Sequence, residues 1–144
     1  MALTTLNGVK GSRAIYLGEG AELTLETVHV HDFDVSDRLN GALIYGVGSN
    51  VVTIRDSFLH KGRAKLGGAI ELLNGELYLT DTDVYDNSSE DDCGGICLLN
   101  CTGTITNGRM YNNVAKNFGG GLGIVTSSMT LSGMDEIFLC STKV

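Results

Sequence analysis

Apolar and polar residues alternate in short runs along this chain. In residues 76–80, Leu77 and Leu79 fall on one side and Tyr78 on the other. Residues 69–73 and 82–85 make two further runs, with Val84 inward. Alternation over a few residues is a strand signal, and no apolar stripe at helical spacing persists beyond two turns. The pattern predicts a chain built of short strands.

The runs recur as a unit. The first apolar residue after a glycine-rich bend is Ile15, Ile44, Ile70, Ile96 or Leu122, with steps of 29, 26, 26 and 26 residues. A second anchor, at Leu25, Ile54, Leu79, Ile105 and Leu131, steps by 29, 25, 26 and 26. Two anchors that drift together mean that a whole supersecondary unit repeats. About three extra residues enter the first copy near 33–40. A unit of this size cannot bury its own apolar face, whereas stacked copies bury a shared one. The inward columns are Ile15/Ile44/Ile70/Ile96/Leu122, Leu17/Gly46/Leu72/Leu98/Ile124, Leu25/Ile54/Leu79/Ile105/Leu131 and Val30/Leu59/Val84/Met110. The expected fold is all-β: a right-handed parallel β-helix of about five coils with three short strands per coil. Its handedness follows that of parallel crossovers.

Turn chemistry fits the same unit. The column Thr27, Asp56, Asp81, Asn107, Gly133 falls between the second and third strands. Asp, Asn and Gly tolerate a left-handed backbone, so a bend is expected there in four of the five copies. Asn87 and Asn113 follow the third strand and are placed to stack as an amide ladder. Coils start near residues 13, 41, 67, 94 and 119 of a single domain spanning 1–144, with 1–12 as a cap or partial coil. At the other end, Phe138 and Leu139 are expected to cover the last coil or to pack end to end against another chain.

The stretch Gly67-Gly68-Ala69-Ile70, the Leu-x-Leu-Thr-Asp of the third coil, and the aliphatic-x-x-Asn of Val84 to Asn87 and Met110 to Asn113 resemble the repeats of β-helical surface proteins. The pattern is similar to the GGAI/FxxN repeats of polymorphic outer membrane proteins of the autotransporter type, over residues 13–139. Phe does not occupy the FxxN position in any copy. The resemblance implies an extracellular or cell-surface, adhesin-like module and carries no catalytic residues over.

Composition narrows the partners. The 144 residues include 20 glycines and no proline, which suits repeated tight bends better than a flexible linker. A net charge of −7 disfavours nucleic acid or an anionic membrane as partner. No run approaches the ~20 apolar residues of a membrane span.

Candidate chemistry falls on the outward columns of the third strand. One reads His31, His60, Tyr85, Tyr111, Ile137; the other reads His29, Phe58, Asp83, Arg109, Asp135. All three histidines therefore meet in one patch, with His31 and His60 about 5 Å apart across coils and His29 about 7 Å from His31 along the strand; the insertion near 33–40 lies beside it and is expected to wall it. His29, His31 and His60 have the donor type for Zn²⁺ or Cu²⁺, but a stacked, solvated set of rings is the plainer explanation of them. Asp83, Arg109 and Asp135 are the candidates for acid–base work on a polysaccharide, against a plain charge ladder between coils. Asp56 and Asp81 have the separation of paired glycosidase carboxylates but occupy the bend column. Tyr85, Tyr111 and Phe58 are candidates for sugar contact. The acidic turn Glu90, Asp91, Asp92 could hold Ca²⁺ weakly. The threonine-rich second strand has the look of an ice-binding face, interrupted by charges. Cys93, Cys97 and Cys101 lack a standard zinc spacing. The leading functional expectation is a non-catalytic module that binds a glycan or a partner protein. The alternatives are a small polysaccharide lyase- or hydrolase-like enzyme and a three-histidine metal protein.

Overall fold

The computed structural model describes residues 3–134 and the backbone of 136–138 and 141–142. Every regular element among them is a strand, and every pairing is parallel. The chain is a β-solenoid of about five turns with three main strands per coil.

The first sheet stacks Ile15–Leu17, Ile44–Val47, Ile70–Leu73, Ile96–Leu99 and Leu122–Val125. The second stacks Glu22–Glu26, Val51–Arg55, Glu76–Thr80, Thr102–Thr106 and Ser128–Ser132. The third stacks Val28–His31, Phe58–His60, Asp83–Tyr85, Arg109–Tyr111 and Glu136–Phe138, with Thr4–Asn7 added beside Val28–His31. A fourth sheet, absent from the sequence reading, pairs the two-residue strands Arg63–Ala64, Ser88–Ser89, Val114–Ala115 and Ser141–Thr142. Two residues are too few to display a period, which is why pattern reading passes over them.

In the described coils the register follows the inward columns. Ile44, Ile70 and Ile96 pair in one row, Ile54, Leu79 and Ile105 in another, and Leu59, Val84 and Met110 in a third; all are buried. Each such side chain contributes roughly 1.5–3 kcal/mol of burial. Only neighbouring coils supply the contacts, as a solenoid requires.

The bends carry the strain. Thr27, Asp56, Asp81, Asn107 and Gly133 all have φ between 49° and 58°. The expected column therefore holds even at Thr27, a β-branched residue that disfavours it. At the corner before the first sheet, Gly41, Gly67 and Gly119 have φ of 56°, 58° and 65°, and Cys93 takes the same place in the fourth coil at 58°. Asn87 and Asn113 form the expected ladder. Asn113 Oδ1 accepts from Asn87 Nδ2 at 3.0 Å, and Asn113 Nδ2 donates to the Val84 carbonyl at 2.8 Å.

Two expectations change. In the last coil Arg109 pairs with Glu136, Met110 with Ile137 and Tyr111 with Phe138. Three residues lie between Ser132 and Glu136, but two between Thr106 and Arg109, so one extra residue moves the pairing by one position from the 26-residue repeat. Ile137 therefore continues the Met110 column instead of the Tyr111 column, and Asp135 itself lies outside the described residues, as do the side chains of Phe138 and Leu139. The insertion near 33–40 also differs. Its tip, Arg38, Leu39 and Asn40, lines a cleft with Arg13, Tyr45 and Lys65 by the first sheet instead of walling the histidines. Arg13 holds it there by donating from Nε to the Asn40 and Gly41 carbonyls at 3.1 and 3.0 Å.

Candidate functional site

The third sheet brings the outward residues together as the columns predict. His31, His60, Tyr85 and Tyr111 form one stack. Successive ring centroids are 5.0, 4.5 and 4.8 Å apart, and interplanar angles fall from 13° to 6° to 3°. The spacing is the strand spacing of the sheet. Because the ring faces cover one another, only ring edges can meet solvent: His31, Tyr85 and Tyr111 are half-buried, and His60 is buried between them. His60, the most enclosed ring, has a buried Nδ1 without a hydrogen-bond partner.

His29 joins from the neighbouring column. Its ring lies 4.5 Å from both His31 and His60, and its Nε2 meets the Nε2 of His60. A neutral pair satisfies that contact, with one nitrogen donating and the other accepting. Burial pushes the His60 imidazole down to about 4, helped by the positive charge that His29, His31 and Lys61 would add. Burial likewise lowers His29, again with His31 adding to the effect. His31 Nδ1 is turned the other way, to Asp32 Oδ2 at 2.5 Å, and this bond keeps Asp32 below the usual carboxylate range. Three imidazoles are thus gathered, but only the Nε2 atoms of His29 and His60 converge. Among the described residues, no group of three or more His, Cys, Asp and Glu side chains has the arrangement to hold a metal ion.

Beside the ladder, Phe58 stands edge-on to His29 at 5.8 Å and is 37% exposed. Asp83 and Arg109 continue that column as a bidentate pair. Arg109 donates from Nε to Asp83 Oδ2 at 3.1 Å and from a terminal nitrogen to the same oxygen at 2.5 Å, while its backbone N–H reaches Asp83 Oδ1 at 3.2 Å. The Arg109 guanidinium also lies 5.6 Å from the Tyr111 ring centre. Both Asp83 oxygens are engaged by their neighbour, the geometry of a cross-coil tie. Asp56 and Asp81 are exposed bend residues. In the acidic turn, Asp91 accepts from Asn117 at 2.5 Å, Asp92 from the Phe118 N–H at 3.2 Å, and Glu90 pairs with Arg63 at 3.8 Å.

The first sheet holds a constellation that column reading of the third sheet misses. Its outward row is Tyr16, Tyr45, Glu71, Cys97 and Gly123. Cys97 is joined to Cys93 in a disulfide. Glu71 is 7% exposed although it points away from the core, and its Oε2 has no hydrogen-bond partner. Burial pushes its carboxyl up to about 7, against the pull of Asn40 and Arg13. Tabulating the outward row of the first strand in each coil would have placed Glu71 against Cys97.

Comparison with protein families, with characterised proteins and with solved structures yields no match to this chain.

Proposed function

We propose that the third-sheet face binds an extended, neutral polysaccharide without cleaving it, on a module displayed at the cell surface or outside the cell. The ring ladder carries this reading. Stacked rings repeat along the face at 4.5–5.0 Å, about the length of one hexose unit in an extended glycan, and the half-buried Tyr85 and Tyr111 bring phenol groups to it. The partly exposed Phe58 beside the ladder adds an apolar surface for a sugar face. Net charge of −7 favours a neutral polymer over a polyanion. The GGAI-type repeats, which resemble those of autotransporter passengers, support the surface location. The mutual engagement of Asp83 and Arg109 favours binding over hydrolysis, because a general acid or base needs an oxygen free to meet the substrate.

Titration calorimetry with neutral β-linked hexose oligosaccharides of increasing length tests the proposal. Affinity should rise with length until the ladder is spanned. Tyr85→Ala should weaken binding about tenfold or more. Absence of binding, or affinity indifferent to Tyr85→Ala, would overturn it.

A further inference from the structure

We propose that Cys93, Cys97 and Glu71 form a thiol–disulfide exchange site on the first sheet, acting on thiols carried by apolar segments. This site lies on a different sheet from the glycan face and stands independently of it.

Three observations carry the inference. First, Cys93 occupies a corner that Gly41, Gly67 and Gly119 fill in other coils, and it takes the same left-handed φ of 58°. A residue with a Cβ is costly there, and in return its sulfur reaches Cys97 four positions on. Second, the next residue in the outward row is Gly123, and a Cβ on it would overlap the Cys93 sulfur. The space needed by the bond is thus left open on the facing strand. Third, Glu71 is the strand neighbour of Cys97 on the other side, with a buried oxygen that no described residue satisfies. A bond needed only to brace the fold has no use for an unpaired buried carboxyl beside it.

Cys93 is buried at 5% exposure and Cys97 is half-buried, so Cys97 is the more open of the two to a reagent. Both line an apolar groove with Leu66, Leu99, Phe118, Ile124 and Val125. Cys101 is enclosed, with its sulfur against the Leu72 and Leu99 carbonyls, and burial raises its thiol, so it stays out of the exchange.

The exchange balances as follows. A substrate thiolate attacks the Cys97 sulfur and forms a mixed disulfide, and the Cys93–Cys97 bond breaks. Cys93 leaves with the electron pair and takes up a proton. A second substrate thiol, as thiolate, attacks the substrate sulfur of the mixed disulfide. The substrate disulfide departs, the Cys97 sulfur receives the proton held by Glu71, and Glu71 regains one from the second substrate thiol as that thiol ionises. Two thiols are oxidised by two electrons, the protein disulfide is reduced to two thiols, and the protons lost by the substrate equal those gained. Oxidised glutathione, or another small disulfide, restores the starting state. The groups facing Glu71 are Asn40 and Arg13 from the insertion side, Tyr45 from the preceding coil and Cys97 from the next, with Asp92 at the groove rim. Of these, the Arg13 guanidinium is the cation that draws on the Glu71 carboxyl.

The test uses the full chain with Cys140→Ser, so that buried Cys101 is the only other thiol. A reduced peptide with two cysteines flanked by leucines serves as substrate. The oxidised protein should produce one peptide disulfide per chain, at least tenfold faster than oxidised glutathione at the same concentration. Cys93→Gly should keep the circular dichroism of the parent, since glycine fills this corner elsewhere, and lose the reaction; Cys97→Ser should lose it as well. Glu71→Gln should retain the disulfide but lose the inflection of rate near pH 7. A rate no faster than glutathione, a Cys93–Cys97 pair that stays reduced in air or resists dithiothreitol in the folded chain, or an unchanged pH profile in Glu71→Gln would each overturn the proposal.

Discussion

Asn113 Oδ1 accepts two hydrogen bonds from Asn87, one from its side-chain amide at 3.0 Å and one from its backbone N–H at 3.1 Å. Both residues are buried, and Asn87 Oδ1 in turn accepts from the Gly62 N–H at 2.8 Å. The ladder thus satisfies the backbone groups of a corner that water cannot reach. Replacing Asn113 with Leu removes an acceptor for two buried donors and a donor to Val84. The expected loss is about 2–4 kcal/mol, from about 1–3 kcal/mol for each unsatisfied group with partial relaxation. Urea denaturation of Asn113→Leu should show a clearly lower midpoint at unchanged slope. A midpoint equal to the parent would show that the corner finds other partners.

Thr27 is the opposite case, a residue that the fold tolerates at a cost. Its φ of 54° is left-handed, a conformation unfavourable by about 1–2 kcal/mol for an ordinary L-residue. Thr27→Asn should raise stability by roughly 0.5–1 kcal/mol, because Asn sits in this region more readily. The same change at Thr24, in a strand of the second sheet, should not stabilise. Paired thermal melts of the two variants decide the matter.

His60 makes stability depend on pH. Its imidazole is held at about 4 in the fold, against an ordinary 6.5. Between these values the unfolded chain binds the extra proton and the folded chain does not, so acid favours unfolding. Stability from this group is complete above about pH 6.5, declines as pH falls toward 4, and levels off below. The total is of order 3 kcal/mol at about 1.36 kcal/mol per pH unit. His60→Gln should flatten the denaturation midpoint between pH 7 and pH 4.5, relative to the parent. An equally steep decline in that variant would assign the effect to other groups.

The Asp83–Arg109 pair is unevenly exposed, with side-chain values of 12% and 50%. Removing the exposed partner should therefore hurt more than its own surroundings suggest, because it strands the enclosed carboxylate. Arg109→Ala should cost about 1–2 kcal/mol, less than for a wholly buried pair since water screens one side. Asp83→Asn, which keeps an acceptor for the Arg109 backbone N–H, should cost less. If both variants melt alike, the pair is a surface tie of little consequence.

How much of this was legible beforehand depended on whether a feature repeats. Ile44, Ile70 and Ile96 announce a coil because three copies confirm one another, and the columns derived from them placed His29, His31, His60, Tyr85 and Tyr111 on one face. A feature present once has no such support. The extra residue between Ser132 and Glu136 enters the last coil only, so it was invisible to a column extended from earlier coils. Glu71 is enclosed because a single insertion, gripped by Arg13, folds toward Tyr45, and no periodicity reports where an insertion folds. The direction of His31 toward Asp32 is likewise a matter of rotamers, which composition and spacing do not encode.

The parallel in-register stack makes length an adjustable quantity. Each coil meets the next through the same four seams, so a coil can be excised without altering the seams that remain. Deleting residues 94–119 joins Cys93 to Gly120, one full 26-residue period later in the same part of the coil. The shortened chain should retain the parallel-sheet circular dichroism of the parent. It should unfold in a single transition at a lower midpoint, since one layer of contacts is gone. Lengthening by the same period should do the reverse, so that a ruler of any whole number of coils could be made from this one sequence.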